Sequence, residues 1–218
     1  VAHLANCDGP RYLVFEVLAE RTIALAQISK TKDPDSGYSP YLDAYLRPVL
    51  EQIKMHHIKV VSNMGAANPL AAAKHINKLA GELGLPPFRI AVLSGDDLSN
   101  YLDEQTLLEA PTMEGNQLSG RDLKAANVYL GGDAVANALA MDVDIVLVGR
   151  TTDSALVLGP LLHEFGWAND DWDKLAAGTI CGHLLECGAQ VTGAYFADPG
   201  FKDVPALGEV GFPVAEVY

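Results

Sequence analysis

Residues 144–160, DIVLVGRTTDSALVLGP, constrain the fold more than any other stretch, because an apolar run passes here through a polar turn into a second apolar segment. Residues 145–148 are β-branched or aliphatic throughout, which is typical of a strand buried on both faces in a parallel sheet. A helix is predicted to follow from Ala155, with Asp153 or Ser154 as its N-cap. Open α/β sheets bind ligands beyond the carboxyl ends of their strands, where such turns lie. The alternative is a solvated cap whose arginine only pairs with a nearby carboxylate.

Further apolar runs extend this strand into a predicted sheet. Residues 12–15, 58–61 and 89–93 are predicted strands, and amphipathic or alanine-rich segments separate them. This alternation predicts an α/β fold: a mostly parallel, doubly wound (Rossmann-like) sheet with helices on both faces, in a single domain over residues 1–218. The predicted helices cover residues 18–28, 42–53 (kinked or divided at Pro48), 69–83, 133–141, 155–166 and 178–196, with a short one ending near residue 108 and an acidic turn at 167–173.

Two further segments stand apart from this alternation. Residues 109–124 are polar and rich in turn formers, so we predict a lid that is less ordered than the strand-end turns. The chain opens without Met and closes on what reads as the start of another strand, so we expect a fragment of a longer protein.

Composition excludes several classes of protein. A formal net charge of −13 would repel a phosphate backbone, so nucleic acid is not expected as a partner. The apolar runs end well before the roughly 18 residues that a membrane span requires, and no signal peptide opens the sequence. The sequence contains an odd number of cysteines, Cys7, Cys181 and Cys187, and their spacing is not that of a disulfide framework. This pattern is typical of a protein in the reducing cytoplasm.

Polar residues follow all four predicted strands. They are Glu16; Asn63, Gly65 and Asn68; Gly95, Asp96 and Asp97; and Gly149, Arg150, Thr152 and Asp153. Right-handed crossovers place these strand ends on one side of a parallel sheet, which predicts a shared ligand-binding edge. Converging carboxylates could bind a divalent cation or raise one another's pKa, but the sequence specifies neither a metal nor a cofactor. The alternative is a set of scattered caps on an acidic protein.

The turn at residues 63–69 has two interpretations. A Gly/Ala-rich turn between strand and helix can present backbone N–H groups to an anion, although the Walker lysine and the three-glycine fingerprint are both missing. Alternatively, Gly65 supplies a positive φ, and Asn68 caps the helix that Pro69 opens.

The last predicted helix carries a polar stripe. Thr179, His183, Glu186 and Gln190 follow offsets of 4, 3 and 4, and the small residues Gly182, Gly188, Ala189 and Gly193 beside them allow a close approach. His183 is the predicted acid–base group, because imidazole titrates near pH 6.5 and a carboxylate can orient it. The predicted catalytic set is His183, Asp153 and Glu186, and a shared site requires His183 within about 15 Å of Asp153. A metal site at His183, Glu186 and Cys187, or a merely exposed amphipathic face, are the alternatives.

The predicted cavity at this edge joins the helix to the strand ends. We expect Asn63, Gly65, Asn68, Asp96, Arg150, Asp153 and His183 to line it. Arg150 has a fixed fork of donors and would hold a substrate carboxylate or phosphate while His183 moves a proton.

Several long strings are more specific than any of these patterns. They are KVVSNMGAANP, SGDD, ANVYLGG, IVLVGRTTDSALVLGPLLHEFGW, DDWDKLAAGTICGHLLECGAQVTGAYFADPG and GFPVAEV. Together they resemble the acyclic terpene utilisation family, AtuA, over nearly the whole chain. Members of that family usually begin with a strand that ends in a Gly- and Ser-containing turn, and this sequence lacks that segment. If the segment contributes ligand contacts, the site in this chain is incomplete.

The resemblance implies a metabolic role without a settled reaction. Members are encoded beside acyl-CoA carboxylases and enoyl-CoA hydratases of citronellol and geraniol breakdown, which implies a small-molecule carboxylate or branched acyl-CoA as the ligand. The leading hypothesis is an enzyme of this catabolism that uses strand-end carboxylates and His183. The alternative is a non-catalytic binding or assembly subunit of the carboxylase. A homo-oligomer is compatible with either hypothesis.

Overall fold

The computed structural model describes residues 1–118 and 122–218 and is organised around a parallel four-stranded sheet. The strands are β1 (Tyr12–Phe15), β2 (Lys59–Ser62), β3 (Ile90–Val92) and β4 (Ile145–Leu147), in the spatial order β1-β2-β4-β3. Val60 of β2 and Ile90 of β3 both pair with Ile145, so β4 lies between them. Every pair of neighbouring strands is parallel, which confirms the predicted α/β class.

Helices cover both faces of this sheet. In the described part of the chain they are α1 (Glu20–Lys32), α2 (Leu42–Leu46), α3 (Leu50–Met55), α4 (Pro69–Glu82), α5 (Glu104–Glu109), α6 (Gly132–Leu139), α7 (Ala155–Phe165) and α8 (Trp172–Glu186). None of the described helices is both long and apolar enough to cross a membrane.

Side chains of β4 and of Val148 directly after it alternate between two hydrophobic clusters. Ile145 and Leu147 pack with residues of α2, α3 and α4, whereas Val146 and Val148 pack with residues of α6 and α7. Successive residues of a strand point to opposite faces, so a strand that is apolar at every position must be covered on both. The doubly wound arrangement is therefore confirmed.

The last helix differs most from its prediction. α8 begins at Trp172, directly after Asp171 at the N-cap position, and ends at Glu186 instead of covering residues 178–196. Gly188 has φ +55°, a left-handed conformation that ends helices, and residues 188–190 and 194–196 form separate 3₁₀ turns. The predicted acidic turn at 167–173 thus contains the start of α8, and Gln190 does not continue the polar stripe of Thr179, His183 and Glu186.

Other predicted boundaries shift by a few residues. α1 begins at Glu20 and runs to Lys32. The predicted helix at 42–53 is divided, since α2 ends at Leu46 and α3 begins at Leu50, with Pro48 in the connection.

The predicted lid is described only in part, because residues 119–121 lie outside the described residues. Thr112 N donates to Asn116 O at 2.7 Å, and Pro111 pairs with Gln117, so the described part contains a tight turn. Whether the segment acts as a lid stays a prediction.

Candidate functional site

Glu16 and Asn63 meet at the carboxyl edge of the sheet, directly after β1 and β2. Asn63 is buried; its Oδ1 accepts a hydrogen bond from Val17 N at 2.9 Å, and its Nδ2 donates to Glu16 Oε1 at 2.8 Å. Glu16 Oε1 also accepts from Leu18 N at 3.1 Å. Because β1 and β2 are paired in register up to Phe15 and Ser62, the two side chains are fixed next to each other.

The environment of Glu16 favours its protonated form. Burial raises the pKa of this carboxyl above its ordinary value, and the nearby Glu186 raises it further. The hydrogen bonds from Asn63 and Leu18 and the charge of Arg150 lower the pKa, but burial is the largest effect. Glu16 is therefore a group that can hold and release a proton.

Arg150, after β4, holds several parts of the protein together. Its Nη1 donates to Leu18 O at 2.6 Å, and its Nη2 donates to Glu20 Oε1 at 2.7 Å and Tyr129 Oη at 2.9 Å. The guanidinium lies 4.3 Å from the centre of the Tyr129 ring, and Arg150 is only 6% exposed. These contacts are those of the alternative in which the arginine pairs with a nearby carboxylate. Substrate binding by Arg150 stays a prediction.

Asp96, after β3, braces the turn that carries Arg150. Its carboxylate is buried, and Oδ2 accepts from Arg150 N at 2.8 Å and from Asn127 Nδ2 at 3.0 Å. A Cβ on Gly149 would collide with this carboxylate and would lie 2.8 Å from Ala66 O. Gly149 is thus required by close packing.

His183 reaches this edge because α8 packs closely on the turn after β4. A Cβ on Gly182 would lie 2.8 Å from Ser154 O and 2.9 Å from Ser154 Cα, so the helix backbone meets the turn directly. His183 Nε2 consequently lies 3.9 Å from Asp153 Oδ2. This distance is well within the roughly 15 Å that a shared site requires, although the chemical roles of the two residues stay predictions.

The end of α8 adds Glu186 and Cys187. The Cys187 thiol donates to Glu186 Oε1 at 2.9 Å. This hydrogen bond, then burial, then the charges of Glu186, Glu16 and Asp153 raise the pKa of the thiol to about 11. Cys187 is therefore a neutral thiol near pH 7. We call Glu16, Asp153, His183, Glu186 and Cys187 the edge cluster.

The alternative metal site at His183, Glu186 and Cys187 is not formed in the described residues. These three residues do not bring one ligand atom each within 4.8 Å of one another.

Residues of the turn at 63–69 have structural roles in packing and helix capping. The interpretation that Gly65 supplies a positive φ is wrong: the left-handed residue is Ala66, with φ +44°. A Cβ on Gly65 would lie 2.6 Å from Val148 O, so close packing explains this glycine. Asn68 caps α4 through Ala71 N at 3.3 Å and donates to Pro34 O at 2.8 Å and Ser36 O at 2.7 Å, which fixes the loop before α2.

The remaining predicted ligand-binding residues also take part in local structure. Gly95 has φ +118°, and Asp97 Oδ1 accepts from Ser99 N at 3.0 Å, a capping bond. Thr152 is exposed, and its N donates to Leu130 O at 3.0 Å. Ligand binding by these residues, and by Gly65, Asn68, Asp96 and Gly149, stays a prediction.

The sequence did not predict three residues that lie at this edge: Glu20, Asn127 and Tyr129. They bond to Arg150 or Asp96, but Asn127 and Tyr129 lie in the irregular segment before α6. Such a segment has no periodicity from which side-chain direction could be predicted. The available signal was an arginine shortly after a buried strand, since such a charged group needs a partner.

Two concavities among the described residues lie away from the edge cluster. One of about 440 Å³ is at the amino edge of the sheet, between Lys54, Phe88 and Asp144. The other, of about 300 Å³, lies beside the end of α1 at Lys32. Catalysis requires titratable side chains within reach of one another, and the side chains of the edge cluster meet this requirement.

The fold and the edge cluster define a doubly wound α/β protein with several titratable side chains at the carboxyl edge of its sheet. The family model described as acyclic terpene utilisation family protein AtuA matches residues 1–218, and the chain belongs to this family. Neither the curated proteins nor the solved structures contain a significant match. Membership points to involvement in acyclic terpene utilisation.

Proposed function

We propose that the protein is an enzyme of acyclic terpenoid (citronellol/geraniol) or related branched acyl-CoA or carboxylic acid catabolism, and that the edge cluster transfers protons on the substrate. One observation carries the proposal. A carboxyl group with a raised pKa, Glu16, and an imidazole 3.9 Å from a carboxylate, His183 with Asp153, occupy the same edge of the sheet. Groups with such different environments can act as acid and base in one site.

The proposed roles follow from these environments. His183 is the base, and Asp153 stabilises the imidazolium that forms when His183 accepts a proton. Their 3.9 Å separation is longer than a hydrogen bond, as is common before substrate binds. Glu16 is the acid, since burial keeps it protonated to a higher pH than an exposed glutamate, and Asn63 fixes its orientation.

The charges of the cluster favour one form of substrate. The carboxylates of Asp153 and Glu186 lie here beside the protonated Glu16, whereas both Nη atoms of Arg150 already donate to protein oxygens. A free carboxylate beside these groups would meet like charge, which costs binding energy. We therefore propose that the cluster contacts the uncharged acyl thioester of an acyl-CoA.

The experiment offers the purified protein branched acyl-CoA thioesters of citronellol and geraniol breakdown and detects products by mass spectrometry. The protein alone should form product. Asp153→Asn should reduce the rate of product formation at least about tenfold, which is less than general acid–base catalysis usually contributes. Asp203→Asn, which changes an exposed carboxylate outside the cluster, is the matched control and should keep the parent rate. The proposal would be contradicted if the protein alone formed no product from any of these thioesters.

A binding or assembly subunit of an acyl-CoA carboxylase is the second candidate. Large aromatic side chains after α8 favour it, since Phe201 is 88% and Phe212 79% exposed, and exposed aromatics are typical of protein interfaces. This candidate predicts that the protein co-purifies with the carboxylase and forms no product without it. Product formation by the protein alone would support the enzyme and contradict the binding or assembly subunit.

A further inference from the structure

The segments at the two ends of the described chain meet through three side chains. His3 and Cys7 flank a 3₁₀ turn at Leu4–Asn6, and Glu216 lies in the extended segment after the last 3₁₀ turn. One ligand atom from each residue lies within 4.8 Å of the other two. Glu216 is far from His3 and Cys7 in the sequence, so folding, and not local spacing, brings the three together.

The donor atoms match the preferences of one class of metal. A histidine nitrogen, a cysteine sulfur and a carboxylate oxygen are the ligands of Zn²⁺, which takes four ligands in a tetrahedron. A neutral imidazole, a thiolate and a carboxylate together carry two negative charges, which balance a divalent cation. We propose that His3, Cys7 and Glu216 bind a zinc-class divalent cation, with water as the fourth ligand, and that the ion ties the two segments together.

A neighbouring contact supports this geometry. The Tyr218 hydroxyl donates to Glu216 Oε2 at 2.6 Å, a contact that restricts the orientation of the carboxylate. Hydrogen bonds of this kind commonly fix the ligands of metal sites. The Cys7 thiol lies on the same side of the turn as His3, since it donates to His3 O at 3.5 Å. On binding, the thiol releases its proton to water and the sulfur bonds to the cation, so one proton is released per ion.

The test titrates the full chain, freed of metal by chelation, with Co²⁺ as a spectroscopic substitute for Zn²⁺. We expect one ion per chain and a thiolate-to-cobalt charge-transfer band in the near ultraviolet. Cys7→Ser should abolish the band and weaken binding at least about tenfold, and His3→Ala and Glu216→Gln should weaken it as well. Cys181→Ser removes a thiol outside the group and should leave the band unchanged.

A second readout does not depend on spectroscopy. Zn²⁺ should slow proteolysis of both terminal segments in the parent protein and in Cys181→Ser, but not in Cys7→Ser. The ligands are exposed or half-buried, so the variants should keep the parent unfolding temperature without metal. The proposal is overturned if the parent shows no thiolate band, if Cys7→Ser keeps it, or if Zn²⁺ protects Cys7→Ser equally.

Discussion

Arg150 makes side-chain hydrogen bonds to three different parts of the protein at the carboxyl edge. It bonds to Leu18 O before α1, to Glu20 within α1, and to Tyr129 before α6. A lysine keeps the charge but cannot make these bonds in a fixed fork. We expect Arg150→Lys to lower the free energy of unfolding by about 1–3 kcal/mol, measured by urea denaturation. If Arg150 instead serves mainly as a substrate clamp, stability will stay unchanged and only ligand affinity will fall.

Glu16 should make stability depend on pH. Its folded-state pKa is raised above the ordinary 4.5, mainly by burial, so its contribution to stability is fully present below pH 4.5 and is lost as the pH rises through the folded value. In the variant Glu16→Gln, the amide that replaces the carboxyl cannot ionise. The stability of Glu16→Gln relative to the parent should therefore increase as the pH is raised from acidic to neutral values, as measured by denaturation at each pH.

The control for this series is Glu114→Gln, which removes a charge from an exposed position. Its stability relative to the parent should change little over the same range. A pH-independent difference between Glu16→Gln and the parent would show that burial does not raise the pKa of Glu16.

At the scale of elements, α8 is placed by its glycines. Gly178 faces Trp167 and Leu158, and Gly182 faces the backbone of Ser154. An added methyl group at Gly182 has no space, because Ser154 O and Cα would be 2.8 and 2.9 Å from it. We expect Gly182→Ala to cost about 1–3 kcal/mol of stability and to reduce product formation by moving His183 away from Asp153.

Gly81, near the end of α4, provides the matched control. A Cβ there meets nothing within 4 Å, so Gly81→Ala should stabilise the protein by about 0.5–1 kcal/mol. If both alanine variants show equal stability and activity, the close packing of α8 on the turn after β4 does not position His183.

The elements differ in how well the sequence predicts them. The four strands were predicted because short continuous apolar runs stand out from their surroundings, and the apolar run of β4 correctly predicted burial on both faces. The position of β4 between β2 and β3 was not predicted, since strand order depends on how whole helices pack. The end of α8 was missed because helical spacing continues beyond Gly188, whose left-handed φ is a property of the folded backbone. Its start was available in the sequence, as Asp171 before Trp172 and Asp173 is a helix-opening pattern.

At the scale of the whole molecule, the parallel sheet explains why part of the candidate site could be predicted. Parallel strands bring Glu16, Asn63, Asp96 and Arg150 to one edge of the sheet, whatever the order of the strands. Locating the strand ends in the sequence was therefore sufficient to predict that these residues share an edge. The contact partner of each side chain could not be predicted from the strand ends. Asn63 faces Glu16 and Asp96 faces the turn at Arg150, and these pairings depend on contacts between residues 47 and 54 positions apart.

The most direct test of the proposed chemistry is proton exchange on the substrate. The protein is incubated in D₂O with a branched acyl-CoA thioester, and deuterium in the recovered acyl chain is measured by mass spectrometry. The parent should incorporate deuterium, His183→Gln should do so at least about 10²-fold more slowly, and His163→Gln, a half-buried histidine outside the cluster, should match the parent. Absence of deuterium with the parent, or equal rates for the parent and His183→Gln, would contradict proton transfer by the edge cluster.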